Sequence, residues 1–320
     1  MLHIESANLR VWLAFLFLLS LMIVALLLGS VHVPLHALWD ASSPYHEVIW
    51  QLRFPRAVNA LLVGASLSLA GLLIQNLVKN PLADPYLLGV SGGAAMVQLS
   101  VIITGLSVTS LTLFISGFLG SILATLILLK LSYVGEFRPN KITLNGVVLA
   151  FGFAAMISFV LATAEGHQIK SMMFWLMGDL SFAELNVLMP LILVAVIIIL
   201  VHQSRSLDIL ARGELFAQKS GVHTKRLNLQ IFIVTAVLTS MAVAQAGTIG
   251  FVGLIIPHIV RIMVGYKHRQ LIPMTVLVGA GFLLIADTLA RTIMSPIQLP
   301  VGIFTALIGV PVFIWLNRKV

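Results

Sequence analysis

The segment RSLDILARGELFAQKSGVHTKR (Arg205–Arg226) is a charged interruption between two apolar runs. LMPLILVAVIIILV (Leu188–Val201) precedes it, and LQIFIVTAVLTSMAVA (Leu229–Ala244) follows it. A helix needs roughly 20 consecutive apolar residues to cross a bilayer, and each run supplies most of that length. The alternation of long apolar runs with short polar segments predicts an all-α protein that crosses a membrane several times.

A short helix is predicted inside the charged segment, over Glu214–Ser220. Its first residue is acidic, Lys219 lies near its end, and Gly221 favours termination there. Leu215 and Phe216 give this helix an apolar face that no lipid covers. One interpretation is a solvated cytoplasmic loop with a helical turn. The other is a helix that docks into a groove of a soluble partner.

Composition places the chain among integral membrane proteins. It has 320 residues, of which 59% are hydrophobic and only 9% are charged, with a mean hydropathy of +1.07. Soluble domains carry about 25% charged residues. The formal charge of +8 is therefore attributed to basic cytoplasmic loops, not to nucleic-acid binding. The absence of cysteine excludes disulfides and thiolate metal sites.

The apolar runs predict about ten transmembrane helices in a compact bundle, treated as a single domain over residues 1–320. Their predicted ranges are 9–30, 54–77, 86–105, 110–132, 142–164, 186–203, 227–246, 250–265, 272–292 and 300–317. The first is interpreted as a retained helix and not a cleaved signal peptide. The third and eighth are short or interrupted by glycine and proline.

The distribution of basic residues predicts that both termini are cytoplasmic. This orientation puts all but four of the 19 Lys and Arg residues on the cytoplasmic side. The four on the far side are Arg53, Arg56, Lys170 and Arg291. The charged segment at residues 205–226 then lies in the cytoplasm. A further short helix, Met172–Met177, is predicted at the far-side surface.

Residue spacing suggests how the helices pack, and it also singles out two histidines. Small residues at three- and four-residue intervals on the second helix, from Ala60 to Gly71, predict close helix contacts. His32 and His36 have the i, i+4 spacing of a metal or haem ligand pair. The aromatic residues around them favour an ordinary membrane-interface segment.

Three common catalytic motifs are missing from the sequence. The phosphate-binding loop GxxxxGK[ST], the zinc motif HExxH and the nucleophile motif GxSxG are all missing. We therefore expect that this chain is not an enzyme. Asp287 and Arg291 lie one helical turn apart and are predicted to pair. An ion-coupled secondary transporter, which remains the alternative, normally needs an unpaired carboxylate near the bilayer midplane.

Three far-side arginines, Arg53, Arg56 and Arg291, are expected to be exposed. Arginines at helix ends can anchor to lipid headgroups. If they converge, they can instead receive carboxylates from a docking protein.

Six stretches together resemble the FecCD family of permeases, the membrane subunits of type II ABC importers for cobalamin, haem and ferric siderophores. These are LRFPRAVNALLVGASLSLAG (52–71), NPLADPYLLGVSGGA (80–94), GELFAQKSGV (213–222), GTIGFVGLIIPHIVR (247–261), ADTLAR (286–291) and LPVGIFTALIGVPVFIWL (299–316). The resemblance implies a homodimer in the bacterial inner membrane, two cytoplasmic ATPase subunits and a periplasmic binding protein. It also implies that the partner ATPase uses ATP and Mg²⁺, while this chain binds no cofactor.

The resemblance also implies roles for particular residues. The ATPase-coupling helix matches Gly213, Glu214, Leu215, Phe216, Ala217 and Gly221. Binding-protein docking matches Arg53, Arg56 and Arg291. The cytoplasmic gate lies within Pro139–Gly146, at Asn140, Thr143 and Asn145, where some relatives have a Thr-Ser pair.

Overall fold

The computed structural model describes residues 2–31, 33–40, 42–104, 109–132, 139–181, 185 and 187–317. Within these ranges the chain is helical and has no strand, which confirms the all-α prediction. The α-helices are α1 (Leu2–Leu27), α2 (Phe54–Val78), α3 (Val90–Ile103), α4 (Ser110–Ser132), α5 (Pro139–Thr163), α6 (Gly166–Leu176), α7 (Leu188–His202), α8 (Ser204–Ala211), α9 (Glu214–Lys219), α10 (Thr224–Ala246), α11 (Val252–Val264), α12 (His268–Thr292) and α13 (Val301–Asn317).

The predicted spans agree with these helices. In the described part of the chain, six helices are long and apolar enough to cross a membrane, and α7 with α8 forms a seventh candidate bent by 65°. Three shorter apolar helices, α3, α11 and α13, complete the correspondence with the ten predicted spans. The helix α6 is longer than the helix predicted at Met172–Met177, because it begins at Gly166. The helix α8 lies in the segment predicted to be cytoplasmic, but no helix was predicted there.

The helix α2 runs through the centre of the bundle. A π-helical turn, Val48–Arg53, extends it at its start, and 83% of its most apolar stretch is buried inside the protein. The corresponding fraction is 11% for α1 and 6% for α5, so these two helices lie at the periphery. Their outward faces are therefore available to lipid or to another protein chain.

Glycines allow the helices next to α2 to approach its backbone. A Cβ atom on Gly64 would overlap the carbonyl oxygen of Gly279 in α12. A Cβ atom on Gly71 would overlap the carbonyl oxygen of Gly253 in α11. In lipid, helices associate through such close backbone packing. The small residues of α2 therefore pack against helices as predicted.

The helix α11 is short because an irregular segment, Gly247–Phe251, separates it from α10. It begins beside Gly71 of α2, and its 13 residues span only about 20 Å. The Tyr86 hydroxyl donates to the carbonyl oxygen of Ile249 (3.1 Å) and accepts from its N–H (2.8 Å). Backbone groups in an apolar surrounding need such partners.

A second side chain compensates for the proline inside α11. Pro257 has no N–H, so the carbonyl of Gly253 lacks its usual helical donor. Gln75 Nε2 lies 3.2 Å from the carbonyl oxygens of Gly253 and Leu254 and donates to them. Arg261 donates to Gln75 Oε1 (2.7 Å), which orients the amide. This network fixes α11 to the end of α2.

Candidate coupling and docking sites

The helix α9 forms where the sequence predicted a short helix. Gly213 precedes it with φ +125°, a conformation that L side chains rarely adopt. Ala217 is fully buried and holds the helix against the bundle, whereas Leu215 and Phe216 are 76% and 47% exposed. The predicted apolar face of this helix is therefore real and uncovered in the isolated chain.

The C-terminal end of α9 is closed by a Schellman motif. The N–H of Val222 donates to the carbonyl of Ala217 (3.0 Å), and the N–H of Gly221 donates to that of Gln218 (3.0 Å). Gly221 has φ +81°, the left-handed conformation that this motif requires. The termination predicted at Gly221 is confirmed, and it gives α9 a defined length and direction.

Positive charge surrounds the apolar face of α9. The guanidinium of Arg212 lies 5.9 Å from the centroid of the Phe216 ring, within range of a cation–π interaction. Lys219 is exposed at the other end of the helix. A partner that covers Leu215 and Phe216 would therefore complement this surface with an apolar pocket bordered by acidic groups.

The helix α8 contacts the bundle through two leucines and one carboxylate. Leu207 and Leu210 are buried. Asp208 Oδ1 accepts hydrogen bonds from the backbone N–H of His268 (2.9 Å) and from its Nδ1 (2.7 Å). Sequence reasoning missed this contact, because 60 residues separate the two partners and nothing in their local pattern connects them.

At the opposite end of the bundle, Asp287 connects α2 with α12. Its Oδ1 accepts a hydrogen bond from Arg56 Nε (2.9 Å), and its Oδ2 lies 3.0 Å from Arg291 Nε. The predicted pair between Asp287 and Arg291 is therefore confirmed. Arg56 Nη1 also donates to Ser181 Oγ (3.0 Å) and Gln298 Oε1 (2.7 Å). These contacts fix the arginine from several elements.

Arg53 caps the C-terminal end of α1. Its Nη1 donates to the carbonyls of Leu26 (2.9 Å) and Leu27 (2.8 Å), and its Nη2 donates to that of Val31 (2.6 Å). The last carbonyls of a helix have no intrahelical partner, and a cationic side chain satisfies them well. Arg53 therefore attaches the peripheral helix α1 to the start of α2.

The expectation that the three far-side arginines are exposed is wrong. Arg53, Arg56 and Arg291 are only 6%, 8% and 5% exposed. The physical reason is that buried carbonyls and the Asp287 carboxylate hold their guanidinium groups inside the protein. Their assignment to binding-protein docking stays a prediction.

The predicted gate lies at the start of α5, which begins at Pro139. Proline suits the first helical position, because its missing N–H has no partner there. The side chain of Asn140 lies outside the described part of the structure. Thr143 is partly exposed, and Asn145 Nδ2 donates to Ser132 Oγ of α4 (3.1 Å). The gate role of these residues stays a prediction.

The proposed metal-ligand pair of His32 and His36 includes His32, which lies outside the described residues. Within the described ranges, no group of three or more His, Asp or Glu side chains could hold a metal ion. Trp39 and Trp50 are 70% and 41% exposed, as expected for an interface segment.

Comparison with known proteins identifies the family. The sequence profile of the FecCD transport family matches residues 14–319. The chain belongs to the FecCD transport family. It is a multi-pass membrane protein and an ABC transporter permease.

Three curated relatives show how far the similarity extends. The hemin transport system permease HmuU of Yersinia pestis is 36% identical, with 94% of this chain and 93% of the relative covered. The Fe(3+) dicitrate transport system permease FecD of Escherichia coli K12 is 35% identical, with coverage of 92% and 93%. The vitamin B12 import system permease BtuC of E. coli O127:H6 is 36% identical, with coverage of 98% and 97%.

A solved structure confirms the type II ABC importer permease fold. The chain is similar to a protein described as a metal-chelate type ABC transporter in an inward-facing conformation. The TM-score is 0.85 at 30% identity, and the match covers 98% of this chain and 100% of the other.

Proposed function

We propose that this chain is the membrane-spanning subunit of an ABC importer for a bulky metal chelate: haem, a ferric siderophore or cobalamin. A periplasmic binding protein delivers the substrate, and ATP hydrolysis in separate subunits drives its passage. The observation that carries the proposal is similarity over nearly the whole chain to permeases for hemin, Fe(3+) dicitrate and vitamin B12.

The helix α9 is the proposed contact with the ATPase. Leu215 and Phe216 are exposed on a helix that glycines delimit at both ends. A partner that covers these two side chains would bury apolar surface, and its movement would displace α9. Nucleotide-driven closure of the ATPase pair would then move α9 and shift the bundle between outward- and inward-open states. The permease itself performs no covalent chemistry, so we expect ATP and Mg²⁺ only on the partner.

A second copy of the chain is proposed to face α5. This helix is barely covered within one chain, and Phe151 and Phe159 are 75% and 70% exposed on it. A homodimer would enclose the substrate path between two such helices. Asn140, Thr143 and Asn145 would then lie at its cytoplasmic end, where a gate is needed.

Docking of the binding protein at the far-side arginines remains part of the proposal, with a changed mechanism. Three arginines and one aspartate leave a formal charge of +2 among Arg53, Arg56, Arg291 and Asp287. This charge attracts acidic groups even though the guanidinium groups are mostly buried. The attraction should weaken as salt rises, since charges are screened over roughly 8 Å at physiological ionic strength.

The positive-inside pattern supports an orientation in the bacterial inner membrane with both termini cytoplasmic. An ion-coupled secondary transporter fits less well. Among the described residues, Asp287 is a fully buried carboxylate, and Arg56 and Arg291 engage both of its oxygens. A coupling carboxylate has to exchange partners during transport, whereas this one has permanent ones.

Reconstitution tests the proposal. The chain is placed in liposomes with its ATPase and binding protein, and uptake of labelled substrate is measured while haem, ferric siderophore and cobalamin compete. We expect uptake that requires ATP, the ATPase and the binding protein, with one ligand class competing best. Uptake by the chain alone under an ion gradient would overturn the proposal in favour of secondary transport.

A further inference from the structure

The helix α12 connects the two ends of the molecule. It is a continuous helix of 25 residues, so it extends about 37 Å. His268 is its first residue, and Asp287 lies near its other end against Arg56 and Arg291. Pro273 lies in its second turn and removes one backbone hydrogen bond there, but the helix is uninterrupted from His268 to Thr292. A displacement applied to its start can therefore reach the arginine cluster along one helix.

Asp208, on the neighbouring helix α8, accepts two hydrogen bonds from the first residue of α12. Its Oδ1 accepts from the backbone N–H of His268 at 2.9 Å and from the imidazole Nδ1 at 2.7 Å. A carboxylate at this position also meets the positive end of a long helix dipole. His268 is only 4% exposed, whereas the Asp208 side chain is 32% exposed, so the contact is buried on the side of α12 and open to solvent on the side of α8.

The surroundings of the imidazole define its hydrogen-bonding roles. An ionised carboxylate only accepts, so Nδ1 must carry the proton that Asp208 receives as a hydrogen bond. The other nitrogen, Nε2, lies 3.4 Å from Nδ2 of Asn76 in α2, so the ring has a polar neighbour on each side. Two hydrogen bonds donated to the same carboxylate oxygen favour the ionised form of Asp208.

The helix that carries Asp208 also leads directly into α9. Only Arg212 and Gly213 separate α8 from α9. Leu207 and Leu210 of α8 are buried. A force on α9 therefore reaches α8 over a very short connection, and Asp208 is the polar side chain that fixes α8 to α12.

We propose that Asp208 and His268 are positioning residues that transmit displacement of α9 to α12, and through it to the far-side cluster around Asp287. The inference rests on the proposed function, because it assigns a route to the force that the ATPase would exert. The contact stays closed through the cycle, so that α8 and α12 move together.

The first test separates coupling from assembly. The full transporter with ATPase and binding protein is reconstituted with Asp208→Ala or His268→Ala, and ATP hydrolysis is measured with and without loaded binding protein. We expect normal co-purification of the ATPase and unchanged basal hydrolysis. Stimulation by the binding protein should fall by about 5-fold or more, the lower range of coupling between distant sites. Arg205→Ala, an exposed charge removed from the same helix, is the matched control and should leave stimulation unchanged.

The second test restores the contact covalently. The chain contains no cysteine, so Asp208→Cys with His268→Cys creates one defined thiol pair. Joined by a disulfide formed with an added oxidant, or by a short bis-methanethiosulfonate linker that attaches through disulfides, the pair should recover stimulation. Reduction should abolish it again in the same preparation. This reversal cannot come from misfolding, because the polypeptide is identical in both states.

The outcomes distinguish this inference from the proposed function. A wild-type assembly without ATP-driven uptake overturns the proposed function, and with it this inference. A wild-type assembly that works, beside substituted chains with full stimulation, overturns the inference alone. So does a linked cysteine pair that fails to recover stimulation, because the contact would then have to open during the cycle.

Discussion

Replacing Asp287 by alanine should destabilise the bundle by about 3–5 kcal/mol, the range for removing one partner of a buried ion pair. Asp287 is fully buried, and it lies 2.9 Å from Arg56 Nε and 3.0 Å from Arg291 Nε. Its loss leaves two buried guanidinium groups without their counter-charge. The upper half of the range is expected, because one carboxylate serves both arginines.

The free energy of unfolding can be measured by reversible SDS titration in mixed micelles. Glu47→Ala is the matched control, because Glu47 is an exposed acid on the same side of the membrane, and it should change the value by less than about 0.5 kcal/mol. A triple variant, Asp287→Leu with Arg56→Met and Arg291→Met, should recover most of the loss, since it removes all three charges together. An Asp287→Ala protein as stable as the Glu47→Ala protein would refute the reasoning.

Four further substitutions test individual side chains. Tyr86→Phe should cost about 1–3 kcal/mol of unfolding free energy, because two backbone groups lose their hydroxyl partner, and an unchanged value would contradict this role. Arg53→Ala should increase proteolysis just after α1, and Arg53→Lys should not restore protection because lysine lacks the planar fork; an Arg53→Ala protein protected as well as the wild type would show that the cap is dispensable. Leu215→Asp with Phe216→Asp should abolish ATPase co-purification from a folded permease, and a normal yield would reject docking at α9. A cysteine replacing Thr143 should cross-link to its mate in a second copy more when the cytoplasmic gate is closed, and nucleotide-independent cross-linking would place Thr143 elsewhere.

Much of the helical architecture could be predicted from the pattern of neighbouring residues in the sequence. Ser110–Ser132 forms the helix predicted for it, because an uninterrupted apolar run in lipid can satisfy its backbone only as a helix. The end of α9 at Gly221 and the pair of Asp287 with Arg291 were also predictable. Both depend on residues within one or two turns of each other.

Other features depended on contacts that no local pattern contains. The range 250–265 was predicted as a spanning helix, but α11 starts only at Val252. The preceding backbone can remain irregular because Tyr86, 163 residues away, supplies its hydrogen bonds. Gln75 likewise supports α11 around Pro257 from 178 residues away.

The sequence by itself determined that the chain is a multi-pass helical membrane protein with clustered basic loops and an exposed short helix between two glycines. These properties follow from hydropathy, charge and glycine placement along short stretches. Only the tertiary structure decided which partners the charged side chains take: Arg53 the end of α1, Arg56 and Arg291 a shared aspartate, Asp208 the start of α12. A guanidinium or carboxylate in an apolar bundle must find a partner. Which partner it finds depends on the helices that packing brings beside it.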